Sequence, residues 1–124
     1  MTRINCVPVD QLCREHLVAE YRELPRLAKR AAQKHTKNPN FVSPDSYRLG
    51  RGHMDFFVDK GKYLARRFSE LVEEMKARGY NPAHLTYPID LHPEHWRQDW
   101  RPDDAAKATN MARINERLAS MRSK

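Results

Sequence analysis

The clearest structural signal in the chain is Phe57-Val58-Asp59-Lys60-Gly61-Lys62-Tyr63-Leu64-Ala65-Arg66-Arg67-Phe68-Ser69-Glu70-Leu71-Val72-Glu73-Glu74-Met75-Lys76-Ala77-Arg78-Gly79. Phe57, Gly61, Leu64, Phe68, Leu71 and Met75 recur at steps of four and three, one face of an α-helix, and Val58 and Val72 widen it. The other face carries Lys62, Arg66, Arg67, Glu70, Glu73 and Glu74. It reads as solvated charge with i,i+4 pairing such as Arg66 to Glu70. Lys76 and Arg78 suit the negative end of the helix dipole, Gly79 stands where a terminating glycine belongs, and Pro82 lies beyond.

Upstream, a first helix is expected over residues 11–35, with Asp10 as N-cap. Leu12, Leu17, Val18, Tyr21, Leu24, Ala28 and Ala31 fall mostly on one side of it. Pro25 sits inside this pattern and would kink the helix or split it in two, at a cost of ~3 kcal/mol in a helix interior. A loop follows over residues 36–52, with turn chemistry at Asn38-Pro39-Asn40, Ser43-Pro44-Asp45 and Gly50-Arg51-Gly52.

Downstream, residues 80–101 hold Pro82, Pro88, Pro93, Trp96 and Trp100. A loop this long in a small domain should pack closely against the helices and include a short helical turn. The two tryptophans read as packing residues, with a base-stacking platform as the alternative. A third helix is expected over residues 102–122, with Pro102 at its first position and Asp103 and Asp104 at its positive end. Ala105, Ala108, Met111, Ala112, Ile114 and Leu118 supply its apolar face, and Arg113 and Arg117 stack one turn apart. The expected fold is all-α: a compact single domain over residues 1–124, with three main helices and long irregular loops.

The 124 residues carry a formal net charge of +7. A basic domain of this size commonly meets a polyanion, nucleic acid above all, although solubility alone could account for the charge. No apolar run approaches membrane-spanning length, and the first residues lack the apolar core of a secretory signal. Cys6 and Cys13 are too few for a disulfide scaffold and lack zinc-ligand spacing, which fits a reducing, cytoplasmic setting. Neither a membrane nor a cofactor is expected.

Few residues suggest chemistry. At about 100° per residue, Arg22, Arg26 and Lys29 fall within about 60° of arc, with Glu23 and Arg30 at the edge. This is either a salt-bridged surface or a phosphate-gripping face with one acid inside it. Removal of Met1 ahead of the small Thr2 would expose an α-amine with a pKa of about 7.7–8.0, a fraction of which is neutral and nucleophilic near pH 7. A disordered terminus is the plainer alternative. His16, about two turns from Glu23, could share its side. His92-Pro93-Glu94-His95 lacks the His-Glu-x-x-His spacing, so no metal site is expected.

Met1-Thr2-Arg3-Ile4-Asn5 and His16-Leu17-Val18-Ala19-Glu20-Tyr21-Arg22-Glu23-Leu24-Pro25-Arg26 resemble the phage-type endonuclease V family. So do Gly52-His53-Met54-Asp55-Phe56-Phe57-Val58-Asp59-Lys60, the Arg78-Gly79 helix end and Ala112-Arg113-Ile114-Asn115-Glu116-Arg117. That family consists of pyrimidine-dimer DNA glycosylases with abasic-site lyase activity. The resemblance implies a single domain acting on damaged double-stranded DNA; a monomer without metal or cofactor is expected. It implies that the Thr2 amine is the nucleophile and Glu23 the essential carboxylate. It assigns Arg3, Arg22 and Arg26 to phosphates near the lesion, Arg113 and Arg117 to DNA contacts on the last helix, and His16 and Tyr21 to the lining of the site. The family's aromatic, Lys-rich C-terminal tail has no counterpart, since no aromatic residue follows Trp100. A non-catalytic DNA-binding module, a glycosylase for another damaged base and a protein-interaction domain are the competing expectations.

Overall fold

Pro25 divides the first predicted helix. The computed structural model describes residues 4–122, the last by its backbone alone, and shows α1 over Arg14–Glu23 and α2 over Arg26–Lys37. Proline has no N–H for the Tyr21 carbonyl. Across the break the bonds close on shorter steps, Leu27 N–H to the Leu24 carbonyl (3.1 Å) and Ala28 N–H to that of Pro25 (3.2 Å). The helix also starts later than the sequence suggests. Val9–Gln11 form a separate 3₁₀ turn, Leu12 turns extended and is buried, and Cys13 is the N-cap of α1. Asp10 therefore belongs to that turn rather than capping the helix.

The apolar stripe from Phe57 onward is likewise shared by two helices, α3 over His53–Phe57 and α4 over Gly61–Ala77. The break accommodates the long loop. Gln98 donates its N–H to the Asp59 carbonyl (3.1 Å), and its own carbonyl accepts the N–H groups of Lys62 (3.2 Å) and Tyr63 (3.4 Å) in the first turn of α4. A Cβ at Gly61 would stand 3.1 Å from the His92 ring and 3.2 Å from the Trp96 carbonyl, so the loop can approach this closely only at a glycine. At the other end of α4, Gly79 (φ +86°) and Tyr80 return N–H bonds to Lys76 (2.9 Å) and Met75 (2.8 Å), a Schellman termination.

Helix α5 spans Asp104–Arg122. Its N-cap is Asp103, whose Oδ1 accepts the Ala106 N–H at 2.8 Å, so Pro102 precedes the helix instead of opening it. Its inner face is displaced from the predicted one. Ala106, Asn110 and Ile114 are buried, while Ala105, Ala108 and Ala112 are exposed. Asn110 occupies the inner face because its amide serves buried polar groups of the N-terminal segment, described below.

Leu17 of α1, Leu24 at its C-cap, Leu27 of α2, Phe56 and Phe57 of α3 and Leu64, Phe68 and Leu71 of α4 form the main core. Trp96 is buried against Ala31 and Val58, with Phe41 packed alongside, and Trp100 stacks on Tyr47 at 5.8 Å. Both tryptophans thus pack the long loop onto the helices. Among the described residues there is no β-strand, only an antiparallel bridge between Lys60 and Arg97. No described helix is long and apolar enough to cross a membrane. The architecture is the all-α one expected, with α1 and α2 as halves of the first main helix.

Candidate active site and nucleic-acid face

Residues 4–7 run through the interior without helix or strand. Buried backbone groups need partners, and here side chains supply them. His53 Nε2 accepts the Ile4 N–H (3.1 Å) and Tyr63 Oη donates to the Asn5 carbonyl (3.0 Å). Asn110 Oδ1 accepts from Cys6 N (2.8 Å) and Val7 N (3.2 Å), and Arg67 Nη1 donates to the Val7 carbonyl (2.6 Å). The Asn5 side chain donates to Glu20 Oε1 (2.9 Å) and accepts from Asn110 Nδ2 (2.8 Å). Groups from α1, α3, α4 and α5 thereby fix the chain immediately after residues 1–3.

Arg67 is central to this arrangement and corrects the expectation of a solvated charged face on α4. Its side chain is 3% exposed and pairs with the fully buried Glu20. Burial opposes its charge, but the Glu20 carboxylate outweighs that and raises the Arg67 pKa. Arg66 pairs with Asp99 at 2.7 Å, where Glu70 was the expected partner. Asp99 also accepts the Trp100 N–H, so this pair holds the long loop.

Glu23 is the last residue of α1, presented at the Pro25 break. Its Oε1 lies 3.4 Å from Arg26 Nη1, a long contact to an arginine side chain that is 72% exposed. Its Oε2 is shielded from solvent and has no hydrogen-bond partner among the described residues. Arg22, Arg26 and Lys29 are exposed around it. Arg30 instead pairs with Asp55 (2.9 Å), which also holds Lys34 (3.5 Å), tying α2 to α3.

His16 and Arg117 form a second group. His16 Nδ1 and Arg117 Nε are both shielded and without partners among the described residues. Burial lowers the His16 pKa; the Arg117 charge lowers it further, and Glu15 opposes both. Burial thus favours the neutral imidazole of His16. Arg113 is half-buried and pairs with Glu116 at 3.0 Å. Tyr21 stacks on Phe68 (5.5 Å), and its hydroxyl accepts the His84 N–H (2.8 Å), so it also staples the long loop. Thr2 and Arg3 lie outside the described residues.

Two other nucleophile or ligand candidates are occupied structurally. Burial pushes the Cys6 thiol up to about 12, which keeps it protonated. His92 is fully buried, with Nδ1 on the Val58 carbonyl (2.8 Å) and Nε2 on the Tyr87 hydroxyl (2.7 Å). Both ring nitrogens are used, so it offers no lone pair to a metal.

Sequence reasoning missed His53, Glu20, Asn110 and the burial of Arg67. The available signal was the placement of Glu20 between Leu17 and Leu24 on the apolar side of its helix.

A small helical scaffold that holds its N-terminal segment by side chains and presents a carboxylate among exposed cations is suited to a DNA-processing protein. A family model described as pyrimidine dimer DNA glycosylase matches residues 1–88, well over half of the chain, and the chain belongs to that family. The match includes residues 1–3, Glu23, His53 and Arg67, and ends before α5.

Proposed function

We propose that this chain excises pyrimidine dimers from double-stranded DNA and then cleaves the strand, using the α-amine of Thr2 and the carboxylate of Glu23. The observation that carries the reading is Glu23 Oε2, shielded from solvent yet without a donor among the described residues, beside exposed Arg22, Arg26 and Lys29. A half-enclosed acceptor with no partner among those residues suits a site where positive charge develops only during reaction.

In the proposed sequence the neutral amine adds to C1′ of the damaged nucleotide as the C1′–N bond to the base breaks. The base leaves with a proton. Opening of the sugar ring, with C1′–O4′ cleavage, gives an iminium between the Thr2 nitrogen and C1′. Loss of a proton from C2′ then expels the phosphate on C3′, and water releases the enzyme from C1′. Glu23 stabilises the cationic intermediates and accepts protons. Arg3, Arg22 and Arg26 grip phosphates beside the lesion, Arg113 and Arg117 contact the duplex from α5, and His16 and Tyr21 line the site. The lesion or its partner base must leave the stack for the amine to reach C1′.

The test is borohydride trapping of Met-processed protein on duplexes carrying one abasic site or one cyclobutane dimer. A covalent adduct that persists in EDTA and maps to Thr2 supports the reading. Its absence on both duplexes overturns it, and salt-dependent binding without an adduct would leave a DNA-binding module. An adduct on the abasic duplex alone would move the substrate to another damaged base.

A further inference from the structure

The side-chain network around residues 4–7 contains one contact that acts directly on the chain's exit toward its N-terminus. We infer that His53 is a positioning residue: its Nε2 holds the Ile4 N–H and so aims the segment that carries the Thr2 amine. This rests on the proposed use of that amine.

An amide N–H lies in the plane of its peptide bond. Holding the Ile4 N–H therefore fixes the plane in which the chain leaves Ile4 toward its N-terminus. The other anchors among the described residues, on Asn5, Cys6 and Val7, fix position further along and do not hold that plane. The Ile4 carbonyl has only a long contact, 3.5 Å from Tyr47 Oη.

His53 is built for this task. It is 3% exposed, and a backbone N–H can only donate, so Nε2 must carry the lone pair. Nδ1 then bears the proton and donates it to the Arg48 carbonyl at 2.8 Å, which locks the ring orientation and the tautomer. The ring also stands edge-on to Tyr47 and Phe57 at 5.7 and 5.4 Å. Gly52, just before it, adopts φ +87° and lets the loop turn into α3. Clamping of Asp55 by Arg30 and Lys34 ties α3 to α2. His53, Arg30, Arg51 and Asp55 also border an open cavity of about 480 Å³, so the anchor lies at the rim of a recess.

A misdirected amine loses rate more than affinity, because only Arg3 of the arginines proposed to bind DNA shares its segment, while Arg22, Arg26, Arg113 and Arg117 lie elsewhere in the chain. The experiment compares wild-type protein, His53→Leu and His53→Gln, all with Met1 removed. Single-turnover borohydride trapping on an abasic duplex is measured beside equilibrium binding of that duplex and a thermal melt. His53→Leu should lower the trapping rate on the order of 10²-fold while DNA affinity falls far less. His53→Gln, whose amide oxygen can accept the Ile4 N–H, should recover most of the rate. If His53→Leu does not fold, His53→Gln decides: a folded variant trapping near the wild-type rate supports the role. A folded His53→Leu with the wild-type rate overturns it, as does a folded His53→Gln that is as slow as His53→Leu. Wild-type protein that traps nothing would instead overturn the amine mechanism itself.

Discussion

Arg67 and Glu20 form a bidentate ion pair in the interior, Nε to Oε2 at 2.7 Å and Nη2 to Oε1 at 3.0 Å, linking α4 to α1 beneath the N-terminal segment. Each partner has a further contact: Glu20 accepts from Asn5, and Arg67 donates to the Val7 carbonyl. The pair is therefore satisfied by geometry on several sides, the condition under which buried charges are tolerated.

Removing one partner strands the other. Glu20→Gln and Arg67→Met are each expected to lower the unfolding free energy by about 3–5 kcal/mol, measured by urea denaturation. The double variant should not return to wild-type stability, since the Val7 carbonyl would then lack its Arg67 donor at about 1–3 kcal/mol. A single variant within about 0.5 kcal/mol of wild type would contradict this account.

Two histidines tie stability to pH. Burial lowers the pKa of His16 and of His92 from the ordinary 6.5, and nearby Arg117 and Arg97 respectively act in the same direction. Below pH 6.5 the unfolded chain binds protons that the folded chain refuses, so stability is full above that pH and falls as pH drops toward the folded values. NMR titration should find both imidazoles titrating below 6.5, and denaturation midpoints should fall as the pH drops below 6.5. A value above 6.5 for either ring would refute the burial argument.

The helices were legible in sequence because apolar spacing reports burial directly. The Leu64–Phe68–Leu71–Met75 stripe is buried as read, and Pro25 marks the observed break. Charge hides the rest. Arg67 looks like its exposed neighbour Arg66 until Glu20, 47 positions away, is seen to meet it. Asn110 displaced the expected inner face of α5 because its amide serves Cys6, Val7 and Asn5, contacts more than 100 positions apart. Neither helical period nor composition encodes such pairings. Of the candidate site, the Glu23 cluster could be read from helical geometry and the Thr2 amine as a candidate nucleophile from its place behind Met1, whereas their joining in one reaction is implied only by family resemblance.

Pro25→Ala tests whether the break presents Glu23. Alanine restores an N–H that can reach the Tyr21 carbonyl, so the α1–α2 junction should straighten. Helical circular dichroism should rise slightly, while trapping on an abasic duplex falls at least about 10-fold through displacement of the carboxylate. Unchanged trapping would assign Pro25 to folding alone.

Glu23→Gln separates catalysis from stability. Its Oε1 contact to Arg26 is long and largely exposed, and Oε2 has no partner among the described residues, so the native state gains little from this charge. Stability should stay within about 1 kcal/mol of wild type. DNA affinity should persist, because the flanking arginines remain. Strand cleavage should fall on the order of 10²–10⁴-fold, the range for loss of a positioned acid or base. The two readouts must diverge for the proposed role to stand: a variant that melts early and cleaves slowly would mark Glu23 as structural, and a stable variant with wild-type cleavage would remove it from the reaction.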